Sequence, residues 1–76
     1  MENVTLGEAV KLLRSRNGLS ARKLSSIVGF SPSYINKIET GEIDPSFKAF
    51  AKIAFHLKMS TAEIIYLLNR TATDDA

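Results

Sequence analysis

Residues 18–41 read Gly18-Leu19-Ser20-Ala21-Arg22-Lys23-Leu24-Ser25-Ser26-Ile27-Val28-Gly29-Phe30-Ser31-Pro32-Ser33-Tyr34-Ile35-Asn36-Lys37-Ile38-Glu39-Thr40-Gly41, and glycines punctuate them. Gly18 supplies a left-handed cap to the segment before it. Ser20 is placed to cap a short helix that carries Leu24, Ile27 and Val28 and stops at Gly29. Phe30 is the apolar residue of the turn, and Ser31 is the next cap. Pro32 then opens a further helix, at a position where its missing N–H costs nothing and its fixed φ helps. That helix ends before Gly41. With Leu24, Val28, Phe30, Ile35 and Ile38 as the apolar positions between them, the pair is expected to cross at a steep angle, the turn being made by Gly29.

The same reading extends in both directions. Upstream, Thr5 and Glu8 form a capping box, and Leu6, Val10 and Leu13, with Ala9 beside them, recur at helical spacing to about Asn17. Downstream, Glu42-Ile43-Asp44-Pro45 is a loop. Ser46 then caps a fourth helix with Phe47, Phe50, Ala51, Ile53, Ala54 and Leu57 on its apolar side, ending near Lys58. Ser60 and Glu63 make a second capping box, with Met59 placed to staple onto Ile64, and a fifth helix is expected from Thr61 to Asn69. No run alternates with the strand period. The expectation is an all-α, compact five-helix domain over residues 1–69, followed by a frayed polar tail over residues 70–76.

Composition narrows the class. At 76 residues the chain is one domain, with 45% hydrophobic and 24% charged residues in the range of ordinary globular proteins. It has no cysteine, so disulfides, thiolate zinc sites and a cysteine nucleophile are excluded. No apolar run approaches the roughly 18 residues of a membrane span, and the N-terminus lacks a signal segment. A soluble, cytoplasmic chain is expected, with no membrane association. The formal net charge of +2 conceals a split. Between Glu8 and Glu39 there is no acidic residue, while Lys11, Arg14, Arg16, Arg22, Lys23 and Lys37 are positive; the remainder has four basic against eight acidic residues. A basic half suggests a face that meets a polyanion.

The stretch 18–41 resembles the helix-turn-helix of the lambdoid phage repressor and Cro family, also called the XRE family. The resemblance continues through Asp44-Pro45-Ser46-Phe47 and Ser60-Thr61-Ala62-Glu63 and so covers about residues 5–69. It implies a lambda-repressor-like fold, double-stranded DNA as partner, a location at the nucleoid, and a third helix lying in the major groove. At 100° per residue, with Ile35 and Ile38 inward, Ser33, Asn36, Lys37 and Thr40 fall on the opposite face. By the resemblance, Pro32, Ser33, Asn36 and Lys37 match the base-contacting positions. Asn can bond adenine twice and Lys can donate to guanine, each discriminating by roughly 1–3 kcal/mol.

Backbone contacts are expected from Ser20, Ala21, Arg22 and Lys23 at the start of the second helix, and from Tyr34 and Thr40. Arg14 and Glu39 match positions that form a partly buried ion pair in the family, and a structural role is expected for both. Departures from the family pattern are Ala21, where relatives commonly carry Gln; Ser25, where Ala is usual and whose hydroxyl can bond back to a carbonyl; and the acidic Glu42 and Asp44. Glu42 and Asp44 would repel phosphates, so binding is expected either to be weaker or to rest on the N–H groups of that loop.

Relatives bind pseudo-palindromic sites as two-fold dimers, and a homodimer is expected here. Helix 5 offers five consecutive apolar residues, Ile64 to Leu68, more than one inward stripe can use, so Ile64, Tyr66, Leu67 and Leu68 are the candidate interface. His56 stands alone, so no metal site and no cofactor are expected. No nucleophile lies beside a base, and a five-helix domain of this size should have little room for a pocket of about 300 Å³, so the chain is read as a non-enzyme. A chain running from Met1 to just past the fifth helix would lack a sensing or self-cleaving domain. That suits a Cro-like phage regulator, a restriction-modification controller or an antitoxin. The function read from all this is sequence-specific transcriptional regulation, most simply repression. The alternative is a protein-interaction module such as an antitoxin or co-regulator with weak or no DNA binding, which Ala21, Glu42 and Asp44 motivate.

Overall fold

A computed structural model describes the backbone of residues 4–74 and the side chains of residues 4–69. Among the described residues the chain is all helical: α1 (Leu6–Arg16), α2 (Ala21–Ile27), α3 (Tyr34–Glu39), α4 (Phe47–His56) and α5 (Thr61–Asp74). Four of them start on side-chain caps that satisfy otherwise orphaned N–H groups. Thr5 and Glu8 cap α1 reciprocally, and Ser60 and Glu63 do the same for α5. Ser20 accepts from the N–H of Lys23 at 3.0 Å, and Ser46 accepts from that of Ala49 at 3.1 Å.

Helix ends are equally uniform. After α1, α2 and α3, a glycine with φ of +70°, +84° or +81° closes the helix, and the N–H of the next residue turns back to a carbonyl five residues earlier: Leu19 to Arg14, Phe30 to Ser25, Glu42 to Lys37. This is the Schellman arrangement. α4 ends the same way, with Met59 N–H bonding to Ala54, but the left-handed residue is Lys58 at φ 55°.

Two boundaries differ from the sequence reading. α3 begins at Tyr34, two residues after Pro32, because Tyr34 N–H bonds to Ser31 O at 3.0 Å and closes a tight turn over 31–34. The helical ladder then starts with Lys37 N–H on Ser33 O, so Pro32 and Ser33 belong to the turn and Ser31 is not the cap. α5 does not stop at Asn69 but continues to Asp74; the segment holds neither Gly nor Pro, and nothing local ends the helix. Of the polar segment 70–76, the last two residues lie outside those described.

The core has two parts. Val10 and Leu13 of α1, Leu24 and Val28 at α2, Ile35 and Ile38 of α3, and Ile53 and Leu57 at α4 form the larger cluster. Ala9, Phe50 and Leu67 form the second, with Met59 and Ile64 packed against it, and this is what seats α5 on the body. Not every apolar residue assigned inward goes there. Phe30, Ile27, Phe47 and Ala51 are exposed. Phe47, Ala51 and Phe55 repeat every four residues, a second apolar stripe on the flank of α4 beside the buried one.

Asn17 adds a polar tie, its amide donating to Leu13 O at 2.8 Å and Leu57 O at 3.2 Å, which links the ends of α1 and α4. Gly7 is the contact on which α1 meets α3. A Cβ there would lie 2.6 Å from the carbonyl oxygens of Ile38 and Glu39, so only glycine lets α1 approach the end of α3 this closely.

Candidate nucleic-acid interface

α3 is short, and its orientation rests on three anchors. The first is apolar: Ile35 and Ile38 are buried in the main cluster and set the rotation of the helix. With them inward, Ser33, Asn36, Lys37 and Thr40 are all exposed, as is Pro32 in the preceding turn, and no apolar side chain interrupts that strip. Thr40 directs its hydroxyl to Lys37 O at 3.1 Å.

The second anchor is electrostatic. Arg14 of α1 donates from Nε and Nη2 to the two carboxylate oxygens of Glu39, and from Nη1 to Leu19 O at 3.2 Å. Glu39's hydrogen bond raises the Arg14 guanidinium above its ordinary range; burial works in the opposite direction and the attraction of the carboxylate adds to the bond. Arg14 therefore faces inward, and the basic surface is left to its neighbours in sequence.

The third anchor lies in the turn. Phe30 and Tyr34 stack with ring centroids 3.9 Å apart and planes 12° from parallel, so the half-buried Tyr34 is held by a residue expected in the core. Phe30 is left outside because it follows Gly29 in the helix-ending turn. Burial raises the Tyr34 phenol above its usual range.

At the start of α2, Arg22 and Lys23 are exposed, whereas Ala21 is half-buried against the core cluster and brings no polar group. The loop after α3 behaves differently from its sequence reading. Glu42 and Asp44 are exposed, but the N–H groups of Glu42 and Ile43 both bond to Lys37 O, at 2.9 and 3.3 Å. They close α3 and are not available to an anion, because a helix end needs those donors for its own carbonyl.

α2 and α3 form a pair of short helices joined by a tight turn and packed through the main core cluster on α1 and α4. The family described as "Helix-turn-helix domain" matches residues 5–65. The chain belongs to this helix-turn-helix domain family. A solved structure with the same arrangement, the clp gene regulator ClgR from Corynebacterium glutamicum, superposes with a TM-score of 0.71 at 25% identity. The match covers 92% of this chain and 80% of that one. No curated protein sequence matches the chain.

Of the residues expected at a dimer interface on α5 of this helix-turn-helix domain, one goes inward. Leu67 is 2% exposed, packed inside its own chain against Ala9 and Phe50, and is not available to a partner. Ile64 and Tyr66 are half-buried on the same cluster, and Leu68 is exposed.

Apolar surface concentrates on α4 instead, where Phe47 and Phe55 are 74% and 77% exposed. They flank an open groove of about 460 Å³ between α4 and α5 that Phe50, Ala54, Met59, Ile64 and Leu68 also line. A pocket of that size was not expected in so small a domain. Its lining is apolar except for Lys58. Among the described residues there is no group of three side chains suited to a metal ion, and no helix is long and apolar enough to cross a membrane.

Proposed function

We propose that this helix-turn-helix domain is a DNA-binding transcriptional regulator of the lambdoid repressor and Cro type, acting as a repressor. The observation that carries the reading is the exposed strip Ser33, Asn36, Lys37 and Thr40, fixed in rotation by the buried Ile35 and Ile38. Asn36 and Lys37 are the leading base readers, with Pro32 and Ser33 presented from the turn beside them. Ser20, Ala21, Arg22 and Lys23 at the start of α2, with Tyr34 and Thr40, hold the sugar-phosphate backbone, Ala21 through its main chain. The similarity to ClgR, a clp gene regulator, supports the same class.

Reading a pseudo-palindrome requires two copies. The pairing surface is Phe47, Phe55 and Leu68 around the groove between α4 and α5, which keeps Leu68 of the α5 residues expected from sequence and adds the two α4 rings. A two-fold contact needs a self-complementary patch, and here projecting rings and a groove lie side by side on one surface.

The test is selection from random duplexes at about 0.15 M salt, followed by affinity for the best sequence against scrambled DNA. An enriched inverted repeat with half-site centres about 10 base pairs apart supports the reading. Lys37→Ala should then relax preference at one base pair per half-site, while Arg22→Ala weakens all sequences alike and flattens the salt dependence by about one phosphate.

A second reading, a protein-interaction module with weak or no DNA binding, draws on the exposed Glu42 and Asp44 and the inward-turned N–H groups of their loop. It predicts no enrichment and no salt-sensitive affinity.

A further inference from the structure

α3 has no cap of its own. Ser33, the residue before it, sits at φ −93°, ψ 0° and makes no side-chain bond to the helix, although every other helix start described from the N-cap inward has one. Nevertheless the N–H of Ile35, which lies in the first turn of α3 with no i−4 helical carbonyl within reach, is satisfied. Its acceptor is Ser25 Oγ, at 3.0 Å, from the middle of α2. The same hydroxyl donates its proton to Ala21 O at 2.8 Å. The donated proton leaves an oxygen lone pair free to receive the Ile35 N–H, and both ends of this bond are in residues with 0% exposure.

Ser25 holds the other end of the turn as well. Its carbonyl accepts the N–H of Phe30 at 2.9 Å. One residue therefore fixes the chain as it leaves α2 and again as it enters α3, and the stacked rings of Phe30 and Tyr34 lie next to these two bonded positions. Asn36 and Lys37 follow Ile35 directly, so whatever sets the Ile35 peptide sets the direction from which both side chains leave the surface.

We infer that Ser25 is a positioning residue for sequence readout: it caps α3 across the turn and fixes the angle at which Asn36 and Lys37 are presented. This deepens the DNA-binding reading proposed above and rests on it. Alanine at this position would keep the close approach of the two helices but leave the Ile35 N–H buried without an acceptor, and the start of α3 would have to tilt toward water or another carbonyl to regain one.

Two measurements test this. In the unaltered protein, amide exchange should show Ile35 protected like Ile38, despite its place in a first helical turn where N–H groups ordinarily exchange freely. Fast exchange at Ile35 overturns the cap without any variant being made. In Ser25→Ala, Ile35 should lose protection beyond any global change. The ratio of affinities for selected over scrambled DNA should fall about tenfold, the size expected for one lost buried hydrogen bond, while affinity for scrambled DNA and its salt slope stay unchanged.

Ile53→Val in the main core serves as a control that destabilises without touching the turn, and it should leave the ratio intact. A ratio preserved in Ser25→Ala overturns the positioning role. If the unaltered protein shows no sequence preference, the DNA-binding reading fails and the readout role with it, while the amide exchange still reports whether the cap exists.

Discussion

Arg14 on α1 and Glu39 at the end of α3 form a forked ion pair, with Nε 2.5 Å and Nη2 3.0 Å from the two carboxylate oxygens. The side chains are 17% and 5% exposed, so neither partner can recover full hydration if the other is removed. Arg14→Ala should therefore cost about 2 kcal/mol, between the small effect of surface pairs and the 3–5 kcal/mol of fully buried ones. Arg14→Lys keeps the charge but loses the fork and the bond to Leu19 O, and should recover less than half of the loss. Urea unfolding at unchanged m measures both; a loss below about 0.5 kcal/mol for Arg14→Ala would class the pair with ordinary surface bridges.

Gly7→Ala should destabilise, although helix propensity alone predicts a gain of nearly 1 kcal/mol. The added Cβ meets the carbonyl oxygens of Ile38 and Glu39 at 2.6 Å, and these are backbone atoms that cannot swing aside. A loss of about 1–3 kcal/mol is expected from such overpacking, with the Arg14 and Glu39 pair disturbed alongside. Thermal unfolding of the variant decides it, and a raised midpoint would mean that α1 shifts without cost.

The Tyr34 phenol, raised by burial, makes stability fall on the alkaline side. Below the usual phenol pKa of about 10 both folded and unfolded states keep the proton, and the contribution is constant. Above it the unfolded chain ionises first, the folded state binds more protons, and stability declines as pH rises toward the folded value. The difference in unfolding free energy between the natural protein and Tyr34→Phe, which keeps the stack on Phe30, should shrink over that range. A difference independent of pH would show that the phenol ionises equally in both states.

Phe47→Ser with Phe55→Ser should separate a dimer without unfolding the domain, since both rings are largely exposed in the single chain. Sedimentation equilibrium should show at least about 1,000-fold weaker pairing if each of the two rings is an anchor worth about 2 kcal/mol. Leu67→Ala, by contrast, should lower stability by about 2–4 kcal/mol, because it empties the cluster around Ala9 and Phe50. Unchanged pairing in the double variant would place the interface elsewhere.

Much of this protein was legible locally. Ser20, Ser46 and the two capping boxes mark helix starts because a cap acts over three residues, and Gly18, Gly29 and Gly41 mark ends because a left-handed closure acts over six. The inward turn of Ile35 and Ile38, and with it the exposed strip of Ser33, Asn36, Lys37 and Thr40, follows from periodicity alone. The late start of α3 was missed because Ser31-Pro32 imitates a cap followed by a first helical residue, and only the bond from Tyr34 to Ser31 reveals a turn.

What the sequence determined by itself is thus the set of helices and the inward face of α3, since caps, closures and periodicity are interactions between neighbours along the chain. Tertiary structure decided what meets across the gaps. Gly7 is an unremarked helix residue until α3 lies 2.6 Å from where its Cβ would be, and Ser25 bonds only to its own helix until Ile35 is brought beside it. Leu67 and Phe47 are both apolar and both on amphipathic helices, yet one is buried and the other bare. The reason is geometric: a helix with two adjoining apolar stripes can cover only the one that the crossing angle of its neighbour reaches, and that angle is set by contacts between residues distant in sequence.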